Sequence, residues 1–136
     1  MVDPPDAARP SGGSGEHILV VDDSDAIRAV TAGILTGAGY QVTQASSRDE
    51  AASLGGSEGP GLDMVLTDVV MPGISAPDLV DVIRSAHPGL PIAFMSGYAA
   101  DPARGGRPLP DDIPLIAKPF DAPALLRAVR DTIDRR

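Results

Sequence analysis

Five short apolar runs alternate with helix-periodic segments along this chain, and that alternation restricts the architecture more than any single motif. Ile18-Leu19-Val20-Val21 is an unbroken apolar run, the pattern of a parallel strand covered on both faces. Ser24 or Asp25 can then cap a helix whose Ile27, Val30, Ile34 and Leu35 fall at helical spacing and which Gly37 and Gly39 end. A second strand is expected at about Tyr40 to Ala45, and a short, weakly amphipathic helix from Arg48 to Leu54, ended by Gly55-Gly56. Met64 to Thr67 is a third strand, Met71-Pro72-Gly73 a turn, and Pro77 suits the first turn of a helix carrying Leu79, Val82, Ile83 and Ala86. Pro91 to Met95 and Ile113 to Ala117 read as the last two strands. Asp121 can cap a final helix with Leu125, Leu126, Val129 and Ile133 inward. Strands and helices in this order predict an α/β, doubly wound parallel sheet. A length of 136 residues suits one domain, large enough to build a core without staples.

The chemistry gathers where the strands end. The first run stops at Asp22-Asp23 and the third at Asp68, and in an open parallel sheet ligands bind outside the carboxyl ends of the strands. Three carboxylates that close repel one another unless a cation stands among them. A hard divalent ion such as Mg²⁺ answers that need with one or two carboxylates, waters and a phosphate oxygen. The basic residues are ten arginines and a single lysine, and the lysine, Lys118, follows the fifth strand directly. Its ammonium is a compact point charge suited to one anionic oxygen, unlike the planar guanidinium fork. Each aspartate alone reads equally as a helix cap or a loop acid, and Lys118 alone as a surface lysine. Their convergence at one sheet edge favours a site.

Asp22-Asp23 after strand one, Asp68 in Leu-Thr-Asp-Val-Val-Met-Pro-Gly, Ser96-Gly97 after strand four and Lys118-Pro119-Phe120 after strand five together resemble the response-regulator receiver domain, from about residue 17 to 136. The resemblance implies a flavodoxin-like fold with strand order 2-1-3-4-5. It implies that Asp68 takes a phosphoryl group from the phosphohistidine of a histidine kinase or a histidine phosphotransfer protein, or from a small phosphodonor. By the same resemblance Asp23 and Asp68 ligate Mg²⁺ directly, Asp22 acts largely through water, and the Val70 carbonyl completes the protein ligands. Lys118 and the Ser96 hydroxyl then meet the phosphoryl oxygens. The Lys118–Pro119 bond resembles one that is cis in the family. The domain is a signalling module rather than an enzyme, catalysing only its own phosphotransfer and autodephosphorylation. Two alternatives stay open: a pseudo-receiver that binds without phosphate, and a phosphatase with an aspartyl nucleophile.

Two positions depart from the family's pattern. Three residues before the lysine, where receivers often carry an aromatic, stands Leu115, so the usual coupling of hydroxyl and aromatic is not expected. Tyr98 is the nearest substitute, or simply a half-buried tyrosine over the site. Between strands four and five, Asp101 to Asp112 holds Pro102, Gly105, Gly106, Pro108 and Pro110, so the helix there is expected to be short, displaced or missing.

Residues 1–16, rich in Pro and Gly, are expected to be a disordered leader or linker and residues 17–136 the receiver domain. The run from Arg9 to His17 resembles the linker before the C-terminal receiver of hybrid histidine kinases, and equally the tail of a stand-alone receiver. No output domain is expected within these residues after the last helix, so output is expected to pass to a partner or an attached kinase. The chain carries a net charge of −8 with no basic cluster, and direct nucleic-acid contact is not expected. Without cysteine, signal peptide or apolar span, a cytoplasmic monomer with no membrane contact is expected. His17 and His87 lack partners at metal-ligand spacing, Gly12-Gly13-Ser14-Gly15 is no phosphate loop, and Phe94 and Phe120 read as packing residues.

Overall fold

The apolar runs pair as five parallel strands. The computed structural model describes residues 13–55, 61–69, 75–96, 112–118 and 120–134. In chain order these form β1 (His17–Val21), α1 (Asp25–Gly37), β2 (Gln41–Ala45), α2 (Arg48–Gly55), β3 (Met64–Asp68), α3 (Ala76–Ala86), β4 (Ile92–Ser96), β5 (Leu115–Ala117) and α4 (Ala122–Asp134). The strands lie in the order β2-β1-β3-β4-β5, the flavodoxin-like arrangement. Chain direction across the sheet reverses between β1 and β3, where Ile18 pairs with Met64 and Val21 with Thr67. A crevice opens at such a switch point, because the connections from the two strands leave toward opposite faces.

Alternation along the strands divides the core in two. Leu19, Val21, Val65 and Phe94 face Ala51 of α2 and Leu79, Val80 and Ile83 of α3. Ile18, Val20, Met64, Leu66, Met95 and Ile116 face Leu35 of α1 and Leu125, Val129 and Ile133 of α4. Both faces are therefore covered, and β3 and β4 are buried along their whole length.

The helices begin where side chains satisfy their first amides. The Ser24 hydroxyl accepts from Ile27 N–H and the Ser75 hydroxyl from Asp78 N–H, while the Asp121 carboxylate accepts from Ala124 N–H. Pro77 sits in the first turn of α3, where its missing N–H costs nothing. Beyond α1, Gly39 takes a left-handed φ of 102°, and a Cβ there would stand 2.6 Å from the Gly13 carbonyl oxygen.

The inward face of α1 differs from the expected one. Thr31, Ala32 and Leu35 are buried, whereas Ile27 and Val30 are exposed. A small residue at 32 lets the helix approach the sheet, and periodicity counted on large side chains alone overlooks that. In α3, Val82 and Ala86 are likewise exposed, with Val80 taking the inward place. Strand β5 is shorter than expected, and Ile113 is buried just ahead of it.

Backbone pairing starts upstream of His17. Gly13 N–H donates to the Ala38 carbonyl, Gly15 N–H to Gly39 and Gln41 N–H to Glu16. The Glu16 carboxylate meets the Arg130 guanidinium of α4 at 2.9 Å. Residues 1–12, the turn at 71–73, the Lys118–Pro119 bond and all of the helix region before Asp112 fall outside the described residues. Among the described residues no helix is long and apolar enough to cross a membrane.

One ladder pair separates packing from exposure cleanly. Phe94 and Leu115 are partners across β4 and β5, the first 1% exposed and the second 48%. Phe94→Ala is expected to lower unfolding free energy by about 3–5 kcal/mol, and Leu115→Ala to change it by no more than about 0.5 kcal/mol. Urea denaturation measures both, and equal losses would contradict this division of the core.

Candidate functional site

Every residue that the sequence assigns to chemistry and that the structure describes lies at one edge of the sheet. Asp22 and Asp23 leave the end of β1, Asp68 is the last residue of β3, Ser96 the last of β4, and Lys118 follows β5. The ladder enforces the alignment: Asp68 pairs with Met95, the next residue of β4 is Ser96, and Ser96 pairs with Ala117. The Ser96 carbonyl accepts the Lys118 N–H at 2.8 Å, which pins the base of the lysine to the end of β4.

From that anchor the Lys118 ammonium crosses to the switch point. Its Nζ donates to Asp68 Oδ2 at 2.7 Å and to Asp22 Oδ2 at 2.9 Å, with the lysine side chain only 13% exposed. Burial disfavours the ammonium, but hydrogen bonds and charge from Asp68 and Asp22 outweigh it and hold the Lys118 pKa above its usual value. Asp22 is fully buried; its Oδ1 accepts the Ser24 N–H at 2.9 Å, so the residue that caps α1 also orients the acid before it. The Asp22 carbonyl takes an Arg28 N–H at 2.7 Å.

Asp23, by contrast, is exposed, and Asp68 is buried. One carboxylate oxygen from each of Asp22, Asp23 and Asp68 can be chosen so that all lie within 4.8 Å of one another. Such a donor set is all oxygen, with no imidazole and no thiolate. Hard divalent cations take that combination, and zinc or copper sites rarely do. The acids therefore fit a hard metal ion. Val70, whose carbonyl the family resemblance adds to the ligands, and Tyr98 lie outside the described residues.

A second cation approaches from the other side. Arg48 opens α2, is 3% exposed, and donates from Nη1 to the Val69 carbonyl at 2.8 Å. Sequence reasoning placed Arg48 only as the start of a short helix. The available signal was a basic residue in a helix's first turn, where the dipole disfavours it. His17 is structural: its ring Nε2 lies 2.6 Å from the Thr43 hydroxyl and its N–H donates to Asp63. Phe120 packs against the α1 and α4 side of the core. A cavity of about 200 Å³ lined by Arg84, Leu90, Asp112, Ile113 and Thr132 sits at the opposite edge of β4 and β5, remote from the acids.

Comparison with known proteins adds independent observations. Residues 18–130 match the response regulator receiver domain family. Sensor kinase CckA of Brucella abortus is 33% identical over 119 residues, covering 88% of this chain; the chain spans 13% of that protein's length. Among solved structures, the receiver domain of hybrid histidine kinase CckA is 31% identical with a TM-score of 0.72, over 86% of this chain and 98% of that one. A response regulator receiver protein from Sinorhizobium medicae WSM419 has a TM-score of 0.76 at 28% identity, over 88% and 95%.

The bridging lysine carries a pH signature. Its pKa is raised in the folded chain, so its contribution to stability is complete below the usual 10.5 and disappears as pH climbs through the folded value. Lys118→Met is expected to cost about 2–4 kcal/mol near neutral pH, since two buried carboxylates lose their partner. Urea unfolding should show that margin constant to about pH 10 and shrinking above it. A margin that persists undiminished above the folded value would contradict the bridge.

Proposed function

The chain belongs to the response regulator receiver domain family, a signalling domain of two-component systems, and from that footing we propose that Asp68 is its phosphoacceptor. The observation carrying this reading is the Lys118 bridge, 2.7 Å from Asp68 and 2.9 Å from Asp22, in a pocket where a third carboxylate stands close by. In the proposed reaction an Asp68 carboxylate oxygen bonds to phosphorus while the donor bond breaks. From phosphohistidine the P–N bond is lost and the imidazole leaves with a proton; from acetyl phosphate the P–O bond is lost and acetate leaves.

Asp23 and Asp68, with Asp22 through water and the Val70 carbonyl, would hold Mg²⁺. That ion supplies charge neutralisation to the phosphoryl oxygens when bound. Lys118, released from Asp68 as that carboxylate becomes an acyl phosphate, remains within reach of a phosphoryl oxygen through its other tether on Asp22. Ser96, anchored beside it, donates its hydroxyl to a second oxygen. Phosphoryl transfer asks little more of a protein than alignment and fixed positive charge.

A phosphoryl group adds about 1.5 to 2 negative charges and three acceptors, and Ser96 together with the segment after it is the element that answers them. Leu115 already lies 48% exposed, so no aromatic at that position carries the change outward. The donor is a histidine kinase or a histidine phosphotransfer protein, and a place at the end of a hybrid kinase in the cytoplasm accords with the likeness to CckA. The receiver unit is proposed to run from residue 17 to 136 with residues 1–16 leading into it. Autodephosphorylation by water returns Asp68 to its free state.

Incubation with acetyl phosphate and Mg²⁺, read on a phosphate-affinity gel, is expected to label the wild type and not Asp68→Asn. Chelating the metal should abolish labelling, and beryllofluoride, followed by ¹⁹F NMR, should bind only with Mg²⁺ present. Label on Asp68→Asn, or many turnovers of a phosphomonoester, would overturn the assignment in favour of another nucleophile or a phosphatase.

A further inference from the structure

Arg48 stands where two physical effects oppose it. A guanidinium 3% exposed has lost most of its hydration. It occupies the first residue of α2, where the helix dipole is positive. Burial lowers its pKa from the usual arginine value, with the charges of Asp68, Asp23 and Asp49 acting in the opposite sense. A residue needed only to start a helix would be Asp, Ser or Ala there. Local rules broken together mark a position retained for something other than stability.

Its surroundings say what. β2 ends at Ala45, which pairs with Val21 and whose carbonyl accepts the Asp22 N–H. The first turn of α2 is then held by the Ser47 hydroxyl, which accepts the Glu50 N–H, and by the Glu50 carboxylate, which accepts the Ser46 N–H. That turn aims Arg48 at the end of β3, where Nη1 holds the Val69 carbonyl at 2.8 Å. Val69 directly follows Asp68, and its N–H is tied to the Met95 carbonyl. Lys118 reaches the acids from β5 at one end of the sheet, and Arg48, in the first turn of the helix after β2, reaches the carbonyl next to Asp68 from the other.

We infer that Arg48 is a positioning residue for Asp68: buried between α2 and β3, its guanidinium fixes the Val69 peptide and is a second permanent cation beside the acidic trio. It acts in two separable ways. The Nη1 donor holding the carbonyl, on a rigid planar group, restrains the Asp68 carboxylate to one presentation. The positive charge competes with a divalent ion for Asp68 and Asp23, so it sets metal affinity below what those acids would otherwise give.

The inference rests on the phosphoacceptor reading, and the test separates the two. Mg²⁺ affinity by isothermal titration and the labelling rate with acetyl phosphate at saturating Mg²⁺ are compared among wild type, Arg48→Met and Arg48→Lys. Arg48→Met, of similar length and neutral, is expected to bind Mg²⁺ about tenfold more tightly while its labelling rate falls about tenfold or more. Arg48→Lys keeps the charge without the fork; its Mg²⁺ affinity should stay within about threefold and its rate should still fall.

Opposite movements of affinity and rate are outside what a merely structural role produces, since loosening alone weakens both. A folded Arg48→Met with wild-type affinity and rate, or with both reduced alongside its melting temperature, overturns the inference. Should Arg48→Met not fold, Arg48→Lys decides alone: retained affinity with a lower rate supports it, and unchanged values of both overturn it. Label that survives in Asp68→Asn would instead overturn the phosphoacceptor reading, whatever Arg48 does.

Discussion

Three carboxylates crowded at the switch point of a parallel sheet are tolerable only because cations are built in beside them, and much of the structure serves to deliver those cations. Asp22 is fully buried and Asp68 nearly so, and Lys118 donates to both. The lysine can do this because the β4–β5 ladder fixes its backbone: Ser96 pairs with Ala117 and accepts the next N–H. A two-residue slip of β5 against β4 would move the ammonium by about 7 Å and leave the acids uncompensated. Register at the edge of the sheet is in this sense an electrostatic requirement.

The same logic explains how the two faces of the core share one site. Leu19 and Val21 pack under α2 and α3, and Ile18 and Val20 under α1 and α4. β1 therefore ends rigidly gripped from both sides, and the two residues after it are an acid buried by one set of contacts and an acid left open. Asp22 is spent on internal partners, Ser24 and Lys118, while Asp23 faces solvent. That asymmetry suits an inner residue acting through ordered groups and an outer one that exchanges with the medium. It follows from chain geometry, because successive residues leaving a strand point to opposite sides.

Much of this could be read from the sequence, and the reasons are specific. Strand positions were legible because runs such as Ile18 to Val21 are apolar without interruption, and polar residues at their ends stand out against them. Asp22, Asp23, Asp68 and Lys118 were legible as a set because parallel strands deliver their carboxyl ends to one edge whatever the intervening loops do, and Ser96 joined them through the family resemblance. The inward face of α1 was not, since Ala32 and Thr31 carry little hydropathy while Ile27 and Val30, which face outward, carry much. Arg48 was harder to see: a basic residue in a helix's first turn was its one local signal, and its contact with the Val69 carbonyl joins residues 21 apart in sequence. The grip of Arg130 on Glu16 spans nearly the length of the chain and was equally invisible.

Arginine and lysine are not interchangeable between the two ends of this site. Lys118 bridges two oxygens belonging to different acids, a task for a compact ammonium whose donors point in any direction. Under the proposed phosphoacceptor role it would also release one of them when a bulkier anion arrives, which a strongly hydrated point charge on a flexible stem does readily. Arg48 grips a peptide carbonyl, a neutral acceptor that does not change through the cycle, and a planar fork with fixed donors suits a permanent hold. In the proposed cycle one cation would move with the chemistry and the other would stay. With ten arginines available and one lysine, the chain has put its single adaptable ammonium against its two buried acids.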